Sequence, residues 1–136
     1  MNQKTPEDTF LNWLTWIGFV LAMISVGLQM GGVNGGFFTS YLADLAGPVW
    51  MYGIMRQKKT VFKNALSKIS TPARAAIFVF LVGTAWEVCQ AFNFSGTPLT
   101  ITRGHFDPID VACYAVSLAI CYLSDTFYRS NRQEPT

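Results

Sequence analysis

The chain has 136 residues, of which 51% are hydrophobic and only 13% charged, about half the charged share expected of a water-soluble globule of this size. Six of its ten bases, Arg56, Lys58, Lys59, Lys63, Lys68 and Arg74, fall in one stretch that contains no acid. This balance argues against a disordered chain, a nucleic-acid module and a disulfide scaffold, and for an all-α membrane protein.

The first apolar block, Phe10 to Met30, has no charged side chain and is long enough to span a bilayer, which takes about 20 residues. It exceeds the roughly 7 to 15 residues of a secretory signal core, and no small-x-small cleavage site follows it. Gly31-Gly32-Val33-Asn34-Gly35-Gly36 reads as a flexible turn; it lacks the strand and the lysine of a phosphate-binding loop. A second block, Phe37 to Met55, carries Asp44 as its one charge. In the basic connection 56–74, Val61, Phe62, Ala65, Leu66 and Ile69 recur at helical spacing, which suits either an interfacial helix on anionic lipid or a plain solvated linker. The third block, Ala75 to Phe94, contains only Glu87. A polar loop, 95–109, brings Arg103, His105 and Asp107, and the last block carries Asp110 and Asp125 near its ends.

These blocks predict four transmembrane helices at about 10–30, 37–55, 75–94 and 108–128, forming one integral membrane domain. Bases near span ends stay in the cytoplasm, so the connection 56–74 lies inside and both termini are cytoplasmic, while loops 31–36 and 95–109 face outward. Trp13 and Trp16 then fall at the cytoplasmic interface, where aromatic belts form. The three cysteines, Cys89, Cys113 and Cys121, lie inside predicted spans without metal-type spacing and read as small core residues.

A carboxylate within a span costs on the order of 2.5 to 3.5 kcal/mol on insertion scales, so it requires a reason. Asp44 lies seven residues from the outer end of helix two and Glu87 seven residues before Phe94, which puts both about 10 Å below the outer surface. Gln90 shares the Glu87 face and Ser40 the Asp44 face; Tyr114 lies one turn beyond Asp110. Arg103, His105 and Asp107 approach from the loop. Glu87 and Asp44 are the candidates for acid and base, and Gln90, Arg103, His105, Asp107, Asp110 and Tyr114 those for binding a substrate. Helix capping also accounts for Asp107-Pro108 and Asp110, and Arg103 could simply neutralise a buried acid.

Glu87-x-x-Gln90 at the end of an apolar helix, then Arg103, then Phe106-Asp107 and Asp110-Val111 at the start of the next, resembles the VanZ-like family of small bacterial membrane proteins. The resemblance covers Trp86 to about Ser124. It departs at Tyr114, where that family often has asparagine, and at Ser117 and Ala119, which replace its usual glycines. It implies a multi-pass protein of the bacterial cytoplasmic (inner) membrane, in a family named for a member associated with glycopeptide resistance.

The expected function is binding, with or without modification, of a membrane lipid or lipid-linked envelope precursor in a polar, acidic pocket of the outer leaflet. Arg103 and His105 would hold the anionic group. The alternatives are a small proton-coupled four-helix transporter of the multidrug type and a non-catalytic assembly protein locked by polar contacts. A metal site of Glu87, His105, Asp107 and Asp110 would suit magnesium, calcium or manganese. One histidine gives no spacing signal, so no metal or other cofactor is assigned. The chain would work alone or as a homodimer.

Overall fold

The computed structural model describes residues 6–33, 35–57, 69, 71–91 and 107–131. Among them are four helices and no strand: α1 (Pro6–Met30), α2 (Phe37–Arg56), α3 (Pro72–Ala91) and α4 (Pro108–Ser130). Three segments, Pro6–Met30, Pro72–Gln90 and Pro108–Ser130, are long and apolar enough to cross a membrane. The four expected helices are present, and three of them meet the length and apolarity of a membrane span. α2, which is not among those three, carries Asp44, Gly47, Pro48 and Arg56 within it.

Local chemistry sets the helix ends. α1 opens at Pro6, four residues before the expected start, with Glu7 and Asp8 in its first turn, where acids complement the dipole. It closes on Gly32 at φ 69°, with the Val33 N–H donating to Leu28 O at 3.0 Å and the Gly32 N–H to Gln29 O at 3.1 Å. That paired closure requires a left-handed residue, which glycine adopts without penalty. α3 begins at Pro72, so Arg74 belongs to the helix and not to the basic connection. Asp107 caps α4 by accepting from the Ile109 N–H at 2.9 Å, with Pro108 at the first helical position.

The helices form an up-down-up-down bundle. Glu7 at the start of α1 meets Arg56 at the end of α2, and Gln29 at the end of α1 donates to Thr39 O near the start of α2, so these two run antiparallel. α2 and α4 run parallel. Tyr41 to Asp107, Asp44 to Tyr114 and Arg56 to Asp125 are separated by 66, 70 and 69 residues, a nearly constant offset that two helices in one direction would give. α3 is antiparallel to both: Ala75 and Val79 near its start pack with Tyr52, Leu118 and Cys121 in the buried core.

α1 lies close against α2 through glycine. A Cβ on Gly18 would stand 2.6 Å from the Trp50 backbone nitrogen, and one on Gly53 would stand 3.1 Å from Thr15 Cα. Small residues allow this approach where no hydrophobic effect drives helices together. The rest of α1 is apolar and uncovered: Trp13 is 64% exposed, with Trp16, Ile17, Val20 and Met23 also exposed. A helix apolar on all sides with only one side packed is what a lipid environment would accommodate.

Candidate functional site

The structure brings Asp44, Glu87 and Asp110 together from three helices, with one carboxylate oxygen from each lying within 4.8 Å of the others. The bundle direction explains the convergence, because early residues of α2 and α4 and a late residue of α3 share one end. Tyr114 joins two of the acids. Its hydroxyl lies 2.8 Å from Glu87 Oε1 and 3.2 Å from Asp44 Oδ1. Its ring slides under α3 at Gly83, where a Cβ would stand 2.9 Å from Tyr114 Cδ2.

Glu87 is only 2% exposed, and its second oxygen, Oε2, is buried without a hydrogen-bond partner among the described residues. Thr84 Oγ1, one turn earlier on α3, is also buried and unpartnered among the described residues. Such atoms are uncommon in native structures, since leaving one unsatisfied costs about 1–3 kcal/mol and more for a charged group. Pro48 stands four residues after Asp44 and has no N–H to give the Asp44 carbonyl, which loses its usual helical donor.

Beside Asp44 and Tyr114 lies a cavity of about 270 Å³ between α2 and α3. Its other walls are apolar, formed by Gly47, Pro48, Met51, Val79, Val82 and Trp86 among others. Val82 and Trp86 are themselves exposed, so this cavity reaches the side of the bundle. A larger groove of about 430 Å³ between α3 and α4 is lined by residues such as Ala76, Phe80, Ala115 and Leu118 and has no acid or base in its lining. It therefore offers no comparable chemistry.

The remaining sequence candidates are placed differently. Asp107 is held at the rim: it caps α4 and accepts from the Tyr41 hydroxyl at 3.0 Å. Gln90 is half-buried one turn beyond Glu87, with no hydrogen bond to the triad among the described residues. Ser40 is exposed rather than facing the pocket. Arg103 and His105 lie outside the described residues, as do Asn34 and 58–68 of the basic connection. Cys113 and Cys121 are buried, but Cys89 is exposed and is not a core residue.

No protein-family model, curated protein or solved structure matches this chain.

A second polar cluster at the opposite end was not anticipated. Asp125 is fully buried and is held by the Arg56 Nε and Nη2 groups and by the Tyr52 hydroxyl at 2.7 Å. Arg56 Nη2 also lies 3.2 Å from Glu7 Oε1, and Arg129 approaches the same oxygen at 4.0 Å. Reading Arg56 as the first base of a cytoplasmic loop concealed its role: it ends α2 and is 4% exposed. Two-pronged guanidinium–carboxylate pairing offsets the cost of burying both charges. The signal was available in the parallel course of helices two and four, which sets Asp125 opposite residues 52–56.

Proposed function

We propose that this protein crosses the bacterial cytoplasmic membrane four times, with both termini cytoplasmic, and binds the headgroup of an anionic amphiphile at the carboxylate end of the α2–α3 cavity. The amphiphile is a membrane lipid or lipid-linked envelope precursor. The observation that carries this reading is the shape and lining of that cavity: apolar walls reaching the side of the bundle, with Asp44 and Tyr114 at its polar margin. Such a slot matches a molecule with a hydrocarbon part and a polar head. The uncovered apolar surface of α1, together with Ile77 and Leu81 on α3 and Ile120 and Leu123 on α4, suits contact with acyl chains.

Orientation rests on the bases. Arg56, Arg74 and Arg129 gather at one end of the bundle, which the charge rule assigns to the cytoplasm. The carboxylates then lie toward the exterior. The resemblance to VanZ-like proteins supports an envelope role. Arg103 and His105, shortly before Asp107 in sequence, are the residues in this reading that meet the anionic head. Asp44, Glu87 and Tyr114 provide the acceptors and donor that proton transfer on that head would use.

Gly47 tests the cavity. A Cβ built on it has nothing within 4 Å, so Gly47→Leu places its side chain in the open space with little strain on the backbone. Detergent-solubilised protein offered phosphatidylglycerol and examined by native mass spectrometry should retain lipid through gentle activation, and Gly47→Leu should retain several-fold less. Equal retention by a folded Gly47→Leu protein would remove the cavity from the function.

A further inference from the structure

Three carboxylates from α2, α3 and α4 meet in a place that the described bases do not reach. Arg56, Arg74 and Arg129 all stand at the other end of the bundle. Tyr114 supplies one proton between Asp44 and Glu87, and Glu87 Oε2 is buried without a donor among the described residues. An orphaned carboxylate oxygen inside an acidic cluster marks a missing positive partner, since like charges at this range repel strongly in a medium that screens poorly.

We infer that Asp44, Glu87 and Asp110 bind one hard divalent cation, of the magnesium, manganese or calcium class. The geometry fits. Oxygens that share a calcium ion at about 2.3–2.6 Å lie no more than about 5 Å apart, a span the three carboxylates meet with oxygens within 4.8 Å of one another; magnesium, at about 2.0–2.1 Å, would draw them slightly closer. The ligands are all oxygens, with no thiolate or imidazole among the described groups, which selects hard cations over zinc or copper. Three protein ligands leave positions open on an ion that takes six or more, and the adjoining cavity is where a phosphate or carboxylate oxygen of a headgroup would complete the shell.

This deepens the proposed binding of an anionic amphiphile and rests on it only for that last ligand. The cation would offset two of the three negative charges, and its open coordination positions, not a net positive charge, would take an anionic oxygen. Tyr114, bonded to Glu87 Oε1 and Asp44 Oδ1, then acts as a positioning residue for both carboxylates.

The full-length protein, purified in detergent and stripped with a chelator, is titrated with manganese and free ion is followed by electron paramagnetic resonance. One manganese per chain is expected, displaced by magnesium or calcium. Glu87→Gln and Asp110→Asn should each weaken binding at least tenfold, with Cys113 and Cys121 still protected from thiol reagents as the check that the bundle is folded. Absence of a stoichiometric site in the wild-type protein overturns the inference, and so does a site that appears only in Arg103→Gln, which would make arginine the native counter-charge. Phosphatidylglycerol retention is measured in parallel with and without manganese. Retention that does not depend on manganese, together with no metal site, defeats the cation while leaving lipid binding intact. A manganese site without lipid retention defeats the lipid reading alone.

Discussion

The hydroxyl of Tyr114 lies between Glu87 and Asp44, 2.8 Å from one carboxylate and 3.2 Å from the other, so a single proton serves acids carried by two different helices. Tyr114→Phe withdraws it while keeping the ring that packs under Gly83. Glu87 would then have neither oxygen satisfied among the described residues, a loss of about 1–3 kcal/mol. Thermal unfolding in detergent should show this as a lower midpoint, and Tyr114→Phe combined with Glu87→Leu should recover part of it.

Breaking the other cluster should cost more. Asp125→Asn leaves the Arg56 guanidinium buried without its carboxylate, and removal of one partner of a buried pair typically costs about 3–5 kcal/mol. Replacing both partners together, Arg56→Met with Asp125→Leu, should restore most of the lost stability, because neither charge then has to be desolvated. A double-mutant cycle followed by chemical unfolding in micelles measures this directly. Additive losses would show that the two residues act separately.

Glycine substitutions should separate by what stands opposite. Gly18→Ala sets a methyl 2.6 Å from backbone that cannot rotate away, whereas a methyl at Gly27 meets nothing within 4 Å. The first should destabilise by about 1–3 kcal/mol as an overpacked contact. The second should be neutral or gain up to about 1 kcal/mol, since alanine loses less backbone freedom in a helix. Equal midpoints for the two variants would contradict the close α1–α2 approach.

Thiol access provides a packing test that needs no substitution. A small membrane-permeant maleimide should modify Cys89 in the folded protein and spare Cys113 and Cys121, with all three reacting after denaturation. Intact mass after timed labelling counts the adducts.

Topology can be checked with paired reporters. A fluorescent protein fused after Thr136 should be bright, while alkaline phosphatase fused in the loop between α3 and α4 should be active, as expected of cytoplasmic and exterior positions respectively.

The helices were legible in sequence because uninterrupted apolar runs of span length leave little alternative. The meeting of Asp44 with Glu87 followed from counting residues inward along antiparallel helices, and Asp110 and Tyr114 were found by extending one turn from the cap. Arg56 and Asp125 were missed for a physical reason: a base at a span end carries a topological message, and nothing in its local sequence announces that it folds back under its own helix end to meet a buried acid. The tight crossing at Gly18 and Gly53 was equally hidden, since a glycine within an apolar helix does not reveal what it faces. α2 stands apart from the other three because Asp44, Gly47, Pro48 and Arg56 fall within it, and its place in the bundle is set by polar contacts with α1 and α4 as much as by its apolar run.

The polar ties are distributed unevenly, and this has a mechanical consequence. α2 and α4 are fastened to each other at both extremities, by Tyr41 with Asp107 and Tyr114 with Asp44 at one and by Arg56 and Tyr52 with Asp125 at the other. From Thr84 onward, the described part of α3 is latched by the single bond from Tyr114 to Glu87. Side-chain hydrogen bonds thus tie α2 to α4 at both ends but hold the far half of α3 at one place among the described residues. A cation shared by Asp44, Glu87 and Asp110 would add ties from α3 to both neighbours, so loading the site and fastening that half of the helix would be one event.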